Sequence, residues 1–274
     1  MLVFKCKTKL DSLVDWTKEH AIKYIHELFT PKAWINDVVI NRLMLYLNEK
    51  QEIHNKHVKV YYHVSYLYHN LSTNDYTLSR FATRLPPFTT FYDFDLLIMP
   101  VFKRDEHWSL GVINVKEKII LHLNTIPNET FDQQAIKYME KYIELEHQFI
   151  VVRYDKKEWT TKTTTQQKIN SVPSQTCESG DCGIFIILFA EMLGNGKPIK
   201  NITQEYILKH DMRKRISMLL MSFNFRKIVK KVVMDRPGKD LGRTISDTDY
   251  STCSKDADIK TYTPSHFEDA GEMT

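Results

Sequence analysis

The chain has 274 residues, of which 42% are hydrophobic and 12% aromatic, a composition that suits one large globular domain or two small ones. The formal net charge of +4 is too small to argue for nucleic acid, and no apolar run approaches the roughly eighteen residues that cross a bilayer. Four scattered cysteines provide neither a disulfide framework nor a CxxC zinc site, and the N-terminus lacks a secretory signal, so we expect an intracellular protein of the nucleus or cytoplasm.

The first predicted elements are two amphipathic helices, at 13–30 and at 35–50, because apolar side chains recur there at helical spacing. Asn36 and Asp37 stand at the start of the second helix and are typical N-capping residues. The stretch 54–72, rich in tyrosine and histidine, predicts helix and loop. The side chains expected to be buried are Trp16, Ile22, Ile25 and Phe29 in the first helix, and Val39, Ile40, Leu43 and Leu47 in the second.

The middle of the chain changes to short runs of branched and aromatic residues. DLLIMPVF (95–102), HWSLGVINV (107–115) and KIILHL (118–123) predict three consecutive strands. A helix at 130–146 and a strand at QFIVVRY (148–154) follow. A buried helix after Cys182 and another at about 203–222 close the predicted domain, and the composition after Pro237 predicts disorder. Helices, a sheet and further helices indicate the α+β class.

One set of residues has the composition of a thiol active site. Cys182 precedes a long apolar run, and at the start of a buried helix the unpaired N–H groups and the helix dipole favour a thiolate. His107 opens a strand and Asn124 follows the next one, so a hairpin between them brings the amide beside the imidazole. Gln175, in the loop before Cys182, offers an amide donor for an oxyanion, together with the backbone N–H of Cys182.

These segments resemble the SUMO-specific cysteine proteases, which process or remove SUMO and related ubiquitin-like modifiers. AWINDVVIN is similar to that family's Trp-Leu-Asn-Asp-x-x-Ile-Asn segment, FDLLIMPVFKRDEHWSLGVINV to its strand pair ending in His-Trp, and SQTCESGDCGIFI to its Gln…Asp-Cys-Gly signature. The resemblance runs from about residue 30 to about residue 195. It implies a papain-like fold of the SUMO-protease and adenain type, with a central mixed sheet packed by helices.

The resemblance also implies a role for each matching residue. Cys182 is the expected nucleophile, His107 the general base, Asn124 the residue that orients the base, and Gln175 part of the oxyanion hole. The other carried-over residues are expected to bind substrate: Trp34 and Trp108 at a narrow tunnel for a Gly-Gly tail, and Asn36 and Asp37 at the modifier surface.

We accordingly expect a helical extension at 1–30, a catalytic domain at 31–235 and an acidic tail at 236–274. The expected partner is SUMO or another ubiquitin-like protein and its conjugates. We expect a monomer that binds neither membrane nor nucleic acid and needs neither a metal nor an organic cofactor.

Two departures from the family pattern affect the predicted chemistry. Asn124 stands where the family has an aspartate. It accepts the imidazole N–H but carries no charge to stabilise an imidazolium. The stretch from Gln175 to Cys182 is one residue longer than in typical SUMO proteases, a spacing that resembles adenovirus-type proteases of the same clan.

Three other functions remain open at this point: a same-clan viral or bacterial polyprotein endopeptidase, a Cys-dependent acyltransferase and a modifier-binding module without activity. Cys177 is either a plain loop residue or a partner for a reversible disulfide with Cys182.

Overall fold

The computed structural model describes residues 24, 26–54, 58–74, 91–103, 107–154, 165–166, 172–176 and 179–221. The predicted tail at 236–274, Cys177 and most of the predicted first helix lie outside these residues, and the division into three regions stays a prediction. No helix in the described ranges is long and apolar enough to cross a membrane.

Five strands form one mixed sheet in the order β1-β2-β3-β4-β5. The pairs β2/β3 and β3/β4 are antiparallel, whereas β1/β2 and β4/β5 are parallel. The three strands predicted in the middle of the chain are therefore confirmed as consecutive neighbours. The strands are β1 (Val60–Tyr62), β2 (Leu96–Lys103), β3 (His107–Asn114), β4 (Ile119–Leu123) and β5 (Thr165–Gln166).

Helices pack on this sheet, which confirms the α+β class and the mixed sheet covered by helices. The central strand β3 is buried at seven of its eight positions, so both of its faces are covered. The helices are α1 (Asp37–His54), α2 (Tyr66–Ser72), α3 (Glu129–Tyr154), α4 (Cys182–Gly194), α5 (Gln204–Lys209) and α6 (212–221), with a short 3-10 turn at Phe91–Asp93.

Helices α1 and α4 have the burial that their sequences predict. The apolar stripe of α1 is at most 5% exposed, and the Asn36 side chain caps this helix by accepting the Val38 N–H at 2.8 Å. Every residue of α4 from Cys182 to Glu191 is buried, because this helix packs between α1 and the sheet. The buried stripe of α1 consists of Val39, Ile40, Leu43 and Leu47.

Two predictions of secondary structure are wrong. QFIVVRY is the last part of α3 and not a strand, because no glycine or proline interrupts the chain between Glu129 and Tyr154 and the helix continues through residues of high β propensity. The stretch 54–72 contains a strand, β1, as well as α2. Three residues are too short for an alternating pattern to show.

Two further predictions need correction in detail. The helix predicted at 203–222 is interrupted at Asp211, whose φ of 47° is left-handed, so α5 and α6 are separate. In the first predicted helix, residues 26–29 are helical, but Leu28 is buried and Phe29 is 50% exposed. Within these four residues the buried side chain is therefore Leu28 and not the predicted Phe29. Trp16, Ile22 and Ile25 lie outside the described residues.

Candidate active site

The β3–β4 hairpin brings His107 and Asn124 together, as the sequence predicts. His107 is the first residue of β3, and Asn124 directly follows the last residue of β4, so the antiparallel pairing places both at one end of the sheet. His107 Nε2 lies 2.8 Å from Asn124 Oδ1, and both residues are buried. An imidazole and an amide at this distance form the orienting bond that a general base requires.

The Asn124 amide is held on its other side by a carboxylate. Its Nδ2 donates to Asp132 Oδ1 at 2.8 Å, and its Oδ1 also accepts the Ile126 N–H at 3.1 Å. Asp132 lies in the first turn of α3 and in turn lies 2.9 Å from His122 Nδ1. The polar cluster at this end of the sheet therefore extends beyond the predicted residues to a partly exposed carboxylate.

Cys182 begins α4 and is buried against β3. Burial raises the pKa of its thiol above the ordinary value, and the neighbouring Asp181 carboxylate adds to the increase. The backbone N–H groups of Trp108 and Gly183 hydrogen-bond the sulfur and lower its pKa, but they do not cancel the effect of burial. The preference for a thiolate expected from the helix start is therefore outweighed by desolvation.

The imidazole of His107 is shifted in the opposite direction. Burial lowers its pKa below the ordinary value; the Asn124 hydrogen bond and the Asp132 charge oppose this, while His122 and Lys103 add to it. A thiol with a raised pKa and an imidazole with a lowered pKa indicate that Cys182 and His107 are both uncharged at neutral pH. Such a pair reacts when the base takes the thiol proton during attack.

The residue before Cys182 is held by an arginine from α6. Asp181 Oδ1 accepts Arg213 Nε at 2.8 Å and its Oδ2 accepts Gln204 Nε2 at 2.6 Å, so its side chain makes no capping bond to α4. An aspartate at this position usually caps the helix. Because the Asp181 side chain does not cap α4, the first N–H groups of this helix remain directed at the thiol and at any oxyanion formed there.

Gln175 forms two hydrogen bonds with Thr125, the residue that follows Asn124. Its Oε1 accepts the Thr125 hydroxyl at 2.9 Å, and its backbone N–H donates to the Thr125 carbonyl at 3.3 Å. With the amide oxygen bound to Thr125, the –NH2 group remains as a donor. The same end of β4 therefore holds both the orienting amide and the predicted oxyanion donor.

The two tryptophans come from separate parts of the chain, are connected through Ile35, and differ in exposure. Trp108 is buried, packs against the tilted ring of Phe102, and donates its indole N–H to the Ile35 carbonyl at 2.8 Å. Trp34, one residue before Ile35, is 47% exposed. An exposed large aromatic side chain is more typical of a binding surface than of a core.

The structure thus gathers four predicted residues near one end of the sheet and leaves two others at its margin. Asn36 and Asp37 lie at the start of α1, partly exposed, next to Trp34. Four further residues contact this site and are not predicted from the sequence: Asp132, His122, Thr125 and Arg213. Asp132 had a weak local signal, an acidic residue eight positions after Asn124 in a helix start, whereas Arg213 had none.

The chain is similar to proteases of ubiquitin-like proteins. The model of the Ulp1 protease family, C-terminal catalytic domain, matches residues 33–223. The ubiquitin-like-specific protease ESD4 of Arabidopsis thaliana is 26% identical over 195 residues, which cover 69% of this chain and 37% of that protein. A Sentrin-specific protease of Caenorhabditis elegans is 25% identical over 160 residues, 58% of this chain and 21% of that protein. The chain thus spans well under half the length of each of these relatives.

Solved structures share the fold. The C-terminal Ulp1 protease domain in complex with Smt3, the yeast ortholog of SUMO, superposes with a TM-score of 0.57 at 18% identity, covering 80% of this chain and 94% of that one. A de-sumoylating protease superposes with a TM-score of 0.55 at 17% identity, covering 76% of this chain and 88% of the other. The expected SUMO-protease type of fold is confirmed, and the match over 33–223 includes all four predicted catalytic positions. The chain belongs to the Ulp1 protease family and carries its C-terminal catalytic domain.

Proposed function

We propose that this chain is a cysteine peptidase that cleaves after the Gly-Gly-type C-terminus of SUMO or a related ubiquitin-like modifier. The observation that carries the proposal is the His107–Asn124 hydrogen bond at the end of the sheet against which the buried Cys182 packs. The family membership supports the chemistry. The names of relatives, which refer to SUMO, sentrin and ubiquitin-like proteins, support the substrate class.

In the proposed mechanism, the Cys182 sulfur attacks the carbonyl carbon while His107 takes the thiol proton. The Gln175 –NH2 and the N–H groups at the start of α4 donate hydrogen bonds to the resulting oxyanion. His107 then protonates the leaving amine, and a thioester joins the modifier to Cys182. Water, deprotonated by His107, hydrolyses the thioester and regenerates the thiol.

The proposed tunnel for the substrate tail runs between Trp34 and Trp108. The indole of Trp108 holds the Ile35 carbonyl, which fixes the backbone beside the exposed Trp34 ring. A passage bounded by two indoles admits residues without a Cβ, which explains a preference for glycine at the cleavage site. Asn36 and Asp37, at the outer side of this segment, are the proposed contacts to the folded modifier. We place the reaction inside the cell, in the nucleus or cytoplasm, where such conjugates form.

The experiment uses SUMO and ubiquitin that carry thiol-reactive electrophiles at their C-termini. We expect one of them to form a covalent adduct with the full chain, the Cys182→Ser variant to form none, and the Cys177→Ser variant, which changes a cysteine five residues away, to label as the parent does. Cleavage of a modifier precursor should follow the same pattern.

Absence of labelling by both probes, with Cys182 still reactive toward a small alkylating agent, would contradict the proposed substrate class. It would favour a polyprotein endopeptidase or an acyltransferase with the same residues. Equal labelling of the parent and Cys182→Ser would contradict the nucleophile assignment itself.

A further inference from the structure

We propose that Asp132 is a positioning residue for the catalytic imidazole, so that Asn124 and Asp132 together do what a single carboxylate would do. This inference rests on the proposed function of His107 as general base. Together with the Ile126 N–H, Asp132 fixes which end of the Asn124 amide faces His107, and it alone places a negative charge behind that amide.

The orientation follows from the hydrogen-bonding capacities of the three groups. An ionised carboxylate only accepts, so the amide group that faces Asp132 Oδ1 has to be the –NH2 of Asn124. The amide oxygen then faces His107 Nε2 at 2.8 Å and requires a proton on that nitrogen. His107 is thereby held as the tautomer whose Nδ1 carries the lone pair and serves as the base. The Ile126 N–H, which donates to the same amide oxygen at 3.1 Å, favours this orientation as well. Without the carboxylate that longer contact alone opposes a turned amide, which would offer a donor to the imidazole.

The position of Asp132 is fixed by the start of α3. Its Oδ2 accepts the Asn128 N–H at 3.3 Å, while the Asn128 side chain accepts the Phe131 N–H at 3.1 Å, a reciprocal arrangement that caps the helix. Capping accounts for Oδ2 alone. Oδ1 points away from the cap toward Asn124 and His122, and helix stability does not require those two contacts.

The carboxylate of Asp132 is kept charged by its neighbours. Burial by itself raises its pKa, but the contacts from His122 and Asn124 outweigh burial, so the pKa lies below the ordinary value. His122 Nδ1 lies 2.9 Å from Oδ1, and this contact lowers the pKa of Asp132 more than the contact from Asn124 does. His122 is itself held by Ser109 Oγ at 2.8 Å from its Nε2. A charged Asp132 favours protonation of His107, which opposes the effects of burial, His122 and Lys103.

A test by substitution compares Asp132→Asn in two backgrounds. Asparagine keeps the size and capping capacity of aspartate but loses its charge and its acceptor-only character. In the parent we expect Asp132→Asn to lower kcat about 10- to 100-fold with little change in KM. This loss is no larger than the lower limit of about 100-fold for a positioned base, because His107 itself remains in place. In an Asn124→Asp background, where the carboxylate contacts His107 directly, we expect the same substitution to leave kcat unchanged or raise it.

The matched control is Glu129→Gln, which removes an exposed acidic side chain from the same first turn of α3 without contacting Asn124. We expect it to leave kcat and the unfolding temperature as in the parent. A purely structural role for Asp132 predicts instead the same loss of kcat in both backgrounds together with a lower unfolding temperature, and that result would overturn the proposal.

A second measurement does not depend on activity. The 15N chemical shifts of His107 should report the Nε2–H tautomer in the parent and a mixture of tautomers in Asp132→Asn. An unchanged tautomer would refute the orienting role even if activity fell. If the parent shows this tautomer shift on substitution but reacts with neither modifier probe, the positioning inference stands and the proposed function fails.

Discussion

Arg213 connects the segment that carries Trp34 to the residue before Cys182, and its removal should be costly. Its guanidinium donates to Asp181 Oδ1 at 2.8 Å, to the Ala33 carbonyl at 2.9 Å and to the Gly180 carbonyl at 3.0 Å. The side chains of Arg213 and Asp181 are 14% and 6% exposed. Substitution of one partner in a buried pair leaves the other charge uncompensated and costs about 3–5 kcal/mol.

For Arg213→Met, which keeps the apolar stem, we expect a loss of about 3 kcal/mol in the free energy of unfolding, the lower end of that range, since the pair retains some exposure. The Asp181 charge, no longer neutralised, should raise the pKa of Cys182 further. Denaturant unfolding measures the first effect, and the pH dependence of Cys182 alkylation measures the second.

Lys214→Met is the matched control, because it removes the same charge from the adjacent, exposed position of α6. A substitution at such a surface site should change the unfolding free energy by no more than about 0.5 kcal/mol. The double substitution Arg213→Met with Asp181→Asn should recover part of the loss, since no unpaired charge remains. A loss for Arg213→Met no larger than for Lys214→Met would refute the reasoning.

Three further predictions concern the thiol, a buried histidine and a glycine. The rate at which iodoacetamide alkylates Cys182, measured as the difference from Cys182→Ser, should rise with pH and show its inflection above the ordinary thiol pKa, because burial raises the pKa of Cys182. An inflection below pH 7 would mean a thiolate–imidazolium pair instead. Burial lowers the pKa of His63 to about 3, so its contribution to stability is complete above the unfolded value of 6.5 and is lost as the pH falls toward 3. Between pH 7.5 and pH 5 the parent should therefore lose about 2 kcal/mol more unfolding free energy than His63→Gln, and equal losses would contradict a buried neutral ring. Gly180→Ala should lower the free energy of unfolding by about 2 kcal/mol more than Gly196→Ala. Both glycines have a left-handed φ near 66°, so the difference arises because only at Gly180 would a Cβ collide with the Lys32 carbonyl oxygen. Similar unfolding free energies for the two alanine variants would show that Lys32 moves aside.

The strands and the nucleophile could be predicted because their signals are local. Short runs of branched and aromatic residues mark β2 to β4, and a cysteine before an unbroken apolar run marks the start of α4. The His107–Asn124 contact needs one further step, the antiparallel hairpin, which a short polar turn between two strands makes probable from the sequence. These are interactions between neighbours in the chain, or between neighbours joined by one tight turn.

The wrong predictions concern segments in which contacts distant in the sequence, and not the local residue preference, decide the structure. QFIVVRY has the composition of a strand but continues α3, and β1 is too short to show a pattern of its own. The pKa of Cys182 was misjudged for a related reason. A helix start favours the thiolate, but the amount of water removed from the sulfur depends on how α4 packs against β3, and this effect is larger.

The sequence by itself determined the class of fold, the order of the central strands and the residues able to act as nucleophile, base and orienting amide. Only the tertiary structure decided which charges stand behind them. Asp132 lies behind Asn124 because α3 begins at that end of the sheet, and Arg213 reaches Asp181 across 32 residues of chain. Electrostatic contacts of this kind depend on distance and desolvation in three dimensions, and neither leaves a periodic signal in the order of amino acids.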